Sequence, residues 1–365
     1  MEQTADMTRI ANISRTDPFL SANSTGWPSD LEPPLDPSVY MIVIGLICGI
    51  GIPGNLLTFV VLWRVQQKTA TIHLLLALAA ADGLLVLFMF LNIPAPFFFL
   101  TLPPTVATVV EPMFAGAFFI VQMMSVWLVC YVCIERYVAI CFPYRAVTFC
   151  TVGNAKRAVA VIFLASLILT SPLFIDSILV KANTIKQAGG AAFIDIYSSK
   201  IFPCLLFFIP CILLLFTNVR LAQGIRQAKR QHRKFADKQQ RDNSHNITAA
   251  LNIVAVVTSF LVTQLPNVGI FLWLWAVSVE ITQAMTMSLT CIRFILIALN
   301  SSINILVYCL FYERFRRGMR QLFRCCTCCA RLKPSSRRDM DGDNDSWRTG
   351  SVGMTRMSLL TNHIK

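Results

Sequence analysis

The chain has 365 residues, 55% of them hydrophobic and only 14% charged, where a soluble domain carries roughly 25% charged residues. With a mean hydropathy of +0.61 it cannot cover a water-facing surface, so its solvent is lipid. The formal charge of +13 does not point to a nucleic-acid partner, because the basic residues lie in the connections between apolar runs.

A helix that crosses a bilayer needs about 20 apolar residues. Seven runs meet that length: Val39–Trp63, Ala70–Asn92, Pro112–Cys133, Ala158–Leu179, Ile201–Leu221, Thr248–Val277 and Met285–Phe311. All read as helices, since backbone polar groups in lipid must be satisfied within the segment. The expected fold is therefore an all-α membrane protein, a seven-transmembrane helix bundle over residues 39–311 with a short amphipathic cytoplasmic helix after it.

The segment 1–38 is polar and has no apolar h-region, so the first run is expected to act as signal-anchor. It carries two glycosylation sequons, at Asn12 and Asn23, and reads as a disordered extracellular tail. Sequons also arise by chance, as at Asn246 and Asn300. The first run holds Asn55. The second holds Asp82 midway, where a carboxylate costs roughly 2.5–3.5 kcal/mol on insertion scales. In the third, Ser125 lies eleven residues before Arg136, about three turns away on one helix face. Asn300, Ser301 and Asn304 lie at comparable depth in the seventh. Two readings stand side by side: an interhelical hydrogen-bond cluster, or a partly hydrated pocket for a small cation or a proton.

Glu135-Arg136-Tyr137 closes the third run. Arg136 cannot shed its charge, and Glu135 is its obvious partner. The triplet reads either as the contact point for an intracellular partner or as a marker of the membrane edge, where arginine snorkels. Pro210 and Pro266 interrupt the fifth and sixth runs, as static bends or as pivots. Lys and Arg crowd the connections after runs one, three and five and the segment after run seven, whereas none lies between Asn92 and Pro112. That bias marks the cytoplasmic side and puts the N-terminus outside.

After the seventh run, Phe311, Phe315, Met319 and Leu322 recur at helical spacing with Arg314, Arg316, Arg317 and Arg320 between them. Residues 312–324 therefore read as an amphipathic helix on the inner leaflet. Cys325, Cys326, Cys328 and Cys329 follow, suggesting palmitoylation, with zinc as the rival reading. The tail, 325–365, is polar and expected to be disordered.

In order, and on matching runs, Gly54-Asn55, Leu78–Asp82, Glu135-Arg136-Tyr137, Phe207–Pro210 and Asn300–Asn304 with Tyr308 resemble the rhodopsin-like family of G-protein-coupled receptors. Glu135–Pro143, Phe149-Cys150-Thr151, Thr263–Pro266 and Asn300–Cys309 look most like invertebrate receptors for FMRFamide-type and myosuppressin-type neuropeptides. The resemblance implies a plasma-membrane receptor, not an enzyme. An extracellular ligand would bind among the outer ends of runs three, five, six and seven. Runs five and six would then shift outward, freeing Arg136 for a heterotrimeric G protein, with Asn304 and Tyr308 stabilising the active arrangement. It implies no cofactor beyond an allosteric sodium ion at Asp82, Ser125, Asn300, Ser301 and Asn304. Phosphorylation of tail serines would recruit arrestin.

The chain also departs from that family. Glu111 stands where the family usually has an outer cysteine, and Asp176–Lys200 contains none, so the usual outer disulfide is not expected. Gln264 replaces the usual sixth-run Trp, Ile305 the seventh-run Pro and Asn218 the fifth-run Tyr, and Ile162 or Phe163 lies near the usual fourth-run Trp. Asn246 stands where many members carry an acid.

Phe118 takes the place where amine receptors need an Asp, and Ala298 the place where opsins need a Schiff-base Lys; no Lys lies within any run as bounded here. Monoamines and retinal are disfavoured. The candidate ligand-binding residues are Asn92, Glu111, Phe118, Phe119, Gln122, Gln264, Asn267, Phe271 and Arg293. Their aromatic and amide character suits an amidated, aromatic-ended peptide. Glu111, Asp195 and Glu280 are acids that a ligand arginine needs, or else solvated loop charges. A lipid or small-metabolite ligand, and a transporter, are the competing readings.

Overall fold

Helices alone make up the regular structure of the described residues in the computed structural model, which are 37–65, 68–92, 101–181, 190–234, 240–276, 283–311 and 315–322. Asn12, Asn23, Glu280 and the cysteine cluster Cys325–Cys329 lie outside them, as does the side chain of Asn246. Among the described residues, seven helices are long and apolar enough to cross a membrane.

The first four spans are Pro37–Trp63, Ala70–Leu91, Pro104–Cys141 and Val152–Lys181. The fifth is composite: Gly190–Ile196, two π-helical segments, Tyr197–Ile201 and Cys204–Phe208, and then Ile209–Lys234. The sixth is Gln240–Ala276 and the seventh Gln283–Phe311. A helical stretch, 315–322, follows.

The third span overruns its predicted bounds at both ends. It starts with Pro104 in the first turn, where a fixed φ is preorganised and no N–H is missed. It stops at Phe142, whose φ of −134° suits a residue placed before a proline; Pro143 opens the short helix Pro143–Phe149. Glu135-Arg136-Tyr137 therefore sits inside a continuous helix and does not close it. Apolar content marks where hydrocarbon ends, not where the helix does.

The fifth span is also longer than predicted, and it takes in Lys200 towards its N-terminal end, exposed. This corrects the expectation that no span contains a lysine. Its π segments have a local cause. Pro203 and Pro210 carry no N–H, so the carbonyls four residues earlier, Ser199 and Leu206, lose their α-helical donors. The backbone answers by widening to five-residue spacing, with Phe202 N–H on Tyr197 O and Ile209 N–H on Cys204 O.

The spans form a closed ring in which the first packs on the second and seventh, and the sixth on the fifth and seventh. The third lies inside, against the second, fourth, fifth and sixth. Buried Leu74, Met123, Leu128, Phe207, Leu214 and Phe260 fill the interior, while Ile42, Leu46, Ile50, Leu164 and Ile168 face outward, as lipid requires. The first and seventh spans meet at Gly51, where a Cβ would collide with Ser302 Oγ. Phe315 of the stretch 315–322 is buried, its ring 5.8 Å from that of Tyr308, and Arg316 Nη1 donates to Leu310 O at 2.5 Å, capping the seventh span.

Candidate functional site

Three groups of polar and aromatic side chains lie along the bundle axis. At the basic end, Glu135 is 3% exposed and Arg136 18%. Arg136 Nη2 donates to Glu135 Oε1 at 3.3 Å. Its Nε lies 2.8 Å from Oε2 but off the hydrogen-bond direction, so that contact is electrostatic. Thr71 of the second span donates to the same carboxylate, 3.2 Å from both oxygens. Glu135 thus holds the guanidinium against its own helix. Tyr137 packs edge-on to Phe142 at 5.6 Å and does not join the ion pair. Cys150, between the third and fourth spans, points its Sγ at Glu135 O (3.5 Å). Burial first, and then the Glu135 charge, push its thiol up to about 11. Asn218 Nδ2 reaches Thr258 Oγ1 of the sixth span at 3.4 Å.

The middle group centres on Asp82, 1% exposed. Ser125 Oγ donates to Oδ1 at 2.5 Å and Asn304 Nδ2 to Oδ2 at 2.6 Å, joining spans two, three and seven. The Ser301 hydroxyl faces the same carboxylate without a hydrogen bond of good geometry. Asn55 Nδ2 donates to Ser301 O at 2.9 Å and to Gly51 O at 3.0 Å. Asn300 is turned away from Asp82; its Oδ1 accepts from Thr263 Oγ1 of the sixth span at 3.0 Å. Four of the five residues assigned to the cation pocket therefore meet, and Asn300 links that cluster's helix to the sixth span.

The third group lies towards the opposite end and is aromatic. Phe118 packs on Phe119 (5.3 Å) and on Phe294 (5.6 Å), Phe119 on Phe202 (5.6 Å), and Phe207 on Phe271 (5.5 Å). Arg293 of the seventh span lays its guanidinium 4.4 Å from the Phe271 ring centre and 5.8 Å from that of Phe207, a cation–π arrangement that bridges spans five, six and seven. Trp275 stacks on Phe208 at 4.9 Å, and its Nε1 donates to Ser199 O at 3.1 Å. The carbonyl that Pro203 deprives of its helical donor thus finds one on the next span. Beneath the rings, Gln122, Gln264 and Asn267 are buried.

Sequence reasoning missed Phe202, Trp275 and Phe294. Trp275 lies four residues after Phe271, on the same helix face, and that spacing was the available signal. Glu111, in the N-terminal half of the third span, is 5% exposed and so is not a solvated rim charge. Asn92 caps the second span, its backbone N–H on Phe88 O at 2.9 Å. Ser198 and Ser199 donate to the backbone carbonyl of Asp195.

Residues 54–308 match the model of the 7 transmembrane receptor (rhodopsin family). The chain belongs to that family. It is a receptor and not an enzyme, and a multi-pass membrane protein. It is 26% identical to the FMRFamide receptor of Drosophila melanogaster over 297 residues, 76% of this chain and 52% of that one, so the match spans about half the length of that relative. It is 25% identical to galanin receptor type 1 of Rattus norvegicus over 84% of this chain and 90% of that one. With growth hormone secretagogue receptor type 1 of Sus scrofa it shares 25% identity over 92% and 96%.

Proposed function

We propose that the receptor binds an extracellular peptide in the aromatic chamber and activates a heterotrimeric G protein through Arg136. The observation that carries this reading is the Glu135–Arg136 pair, held with Thr71 at the basic end of the interior span. A permanent cation restrained there is available to a partner only when the helices around it part. The ligand acts by population shift: it must bind one helix arrangement more tightly than the other. A peptide wedged among Phe207, Phe271 and Arg293 favours an arrangement in which spans five, six and seven no longer touch there.

The N-terminus lies outside the plasma membrane in this reading, with Asn12 and Asn23 glycosylated, Cys325, Cys326, Cys328 and Cys329 acylated, and arrestin engaging the phosphorylated tail. An allosteric sodium ion fits the middle group: the Asp82 carboxylate and the hydroxyls of Ser125 and Ser301 supply oxygens, Asn304, whose Nδ2 meets the carboxylate, would turn its amide oxygen to the ion, and the buried Ser301 Oγ makes no hydrogen bond of good geometry among the described residues. Asp82, Ser125, Ser301 and Asn304 would hold it, where it supplies a charge counter to Asp82.

The test is nucleotide exchange on purified G protein, driven by a peptide panel that includes amidated Arg-Phe peptides. The aromatic lining also suits a lipid or small metabolite, so the panel carries both. Activation by an amidated peptide supports the proposal; activation by lipid alone replaces it.

A further inference from the structure

The sixth span carries two primary amides, Gln264 and Asn267, three residues apart and 2% and 0% exposed. Asn267 Nδ2 donates to Gln264 Oε1 at 3.0 Å. Asn267 Oδ1 is fully buried and accepts no hydrogen bond, and the Gln264 amide nitrogen donates to no described residue. Each primary amide has two N–H donors and one carbonyl. One mutual bond therefore leaves a carbonyl on one residue and an NH2 on the other. Exchanging oxygen and nitrogen on both side chains returns the same remainder in reverse order. The pair thus presents one donor and one acceptor side by side in an apolar interior, where unmade hydrogen bonds are expensive.

We propose that Gln264 and Asn267 read a primary carboxamide on the ligand; this deepens the peptide reading above and rests on it. The ligand carbonyl accepts from the Gln264 NH2, and the ligand NH2 donates to Asn267 Oδ1. A C-terminal carboxamide matches this edge atom for atom and brings no charge into the bundle. A carboxylate offers two acceptors, sets one against the Asn267 carbonyl lone pairs, and must bury its charge. Phe271 lies one helical turn beyond Asn267, under Phe207 and the Arg293 guanidinium. A carboxamide reaches the pair only when that cover opens, so recognition and the parting of spans six and seven become one event.

The test uses the full-length receptor in membranes and each activating peptide in three forms: C-terminal carboxamide, free acid and N-methylamide. On the wild type the carboxamide is expected to exceed the acid in potency by at least about 100-fold and the N-methylamide by at least about 10-fold, since sites built to hydrogen-bond reject analogues that leave the site groups unpaired. In Asn267→Leu and Gln264→Met the carboxamide-to-acid ratio is expected to fall below about 10, chiefly through lost carboxamide potency. The ratio is taken within one variant, so reduced surface level does not disturb it. If neither variant reaches the membrane, the wild-type N-methylamide result decides. Equal potency of the three forms on the wild type, or an unchanged ratio in both variants, overturns the inference and leaves the peptide reading standing. Failure of every peptide to activate overturns both.

Discussion

Replacing Glu135 with Gln removes the charge that restrains Arg136 while keeping the side chain's length and a carbonyl for Thr71. In the structure the carboxylate holds Arg136 through one hydrogen bond at 3.3 Å and one electrostatic contact at 2.8 Å. A hydrogen bond to a charged group contributes about 1.5–3 kcal/mol, and Arg136 is buried enough that solvent screens little of it. If that restraint exists only in the resting arrangement, its loss shifts the equilibrium towards the active one by roughly 12- to 160-fold, at about 1.36 kcal/mol per tenfold. A receptor that is about 0.5% active at rest then becomes about 6–45% active. The measurement is agonist-free nucleotide exchange on reconstituted G protein, normalised to the number of folded receptors. Basal exchange within about twofold of wild type, a shift of only ~0.4 kcal/mol, would refute the role given to this pair.

Arg136→Ala is expected to abolish G-protein coupling while agonist binding remains measurable; coupling that survives contradicts the assigned contact. Asp82→Asn is expected to erase the dependence of agonist affinity on sodium concentration, read by ligand binding across a NaCl series; persisting dependence would relocate the ion. Gly51→Ala sets a Cβ against Ser302 Oγ and 3.0 Å from Val86 Cγ1; with the hydroxyl rotated away, the remaining crowding is expected to cost about 1 kcal/mol, visible as a lower melting temperature in detergent, and a raised melt would contradict that crowding. The Cys150 thiol, pushed up to about 11 chiefly by burial, is expected to alkylate slowly at neutral pH and about tenfold faster per unit of rising pH below that value. Glu135 raises this pKa and Arg136 lowers it, so Glu135→Gln should speed labelling at fixed pH and Arg136→Ala should slow it.

The seven spans are legible because hydrocarbon tolerates little but apolar helix, and a run of about 20 such residues is hard to mistake. Their ends are not. Hydropathy stops at Cys133, but the third helix runs on to Cys141 because Glu135, Arg136 and Thr71 satisfy one another and nothing breaks the backbone before Pro143. The polar cluster was readable as a set, since Asp82, Ser125 and Asn304 are too costly to bury singly. That Asn300 bonds instead to Thr263 was not readable, since it depends on how the sixth and seventh spans are rotated. The aromatic chamber was half visible. Phe118 and Phe271 stand at positions that the resemblance marks, whereas Phe202 lies beside the widened turn before Pro203 and Trp275 of the sixth span meets the Ser199 carbonyl there. The π-helical detour is a consequence of proline chemistry, but its effect on neighbouring faces appears only once the helix is built.

Two departures from the family pattern, Gln264 and Ile305, lie on the sixth and seventh spans. Where the usual sixth-span Trp would put an apolar wedge, Gln264 puts an amide bonded to Asn267, and one residue earlier Thr263 bonds to Asn300. Asn300 is one turn from Asn304, which holds Asp82, and Asp82 holds Ser125 on the span that carries Arg136. Ile305, in place of Pro, keeps its own N–H, so the carbonyl of Ser301 is not left solely to Asn55 as it would be before a proline. The seventh span therefore needs no proline break to hold this register, and its freedom to move rests more on side-chain hydrogen bonds than on a backbone hinge. A change felt at Asn267 can then reach Asp82 through three hydrogen bonds, Asn267–Gln264, Thr263–Asn300 and Asn304–Asp82, joined by the backbones of the sixth and seventh spans. Apolar replacement of Thr263 should separate ligand binding from coupling if that route carries the signal. It should leave both intact if the outer helices transmit it by packing alone.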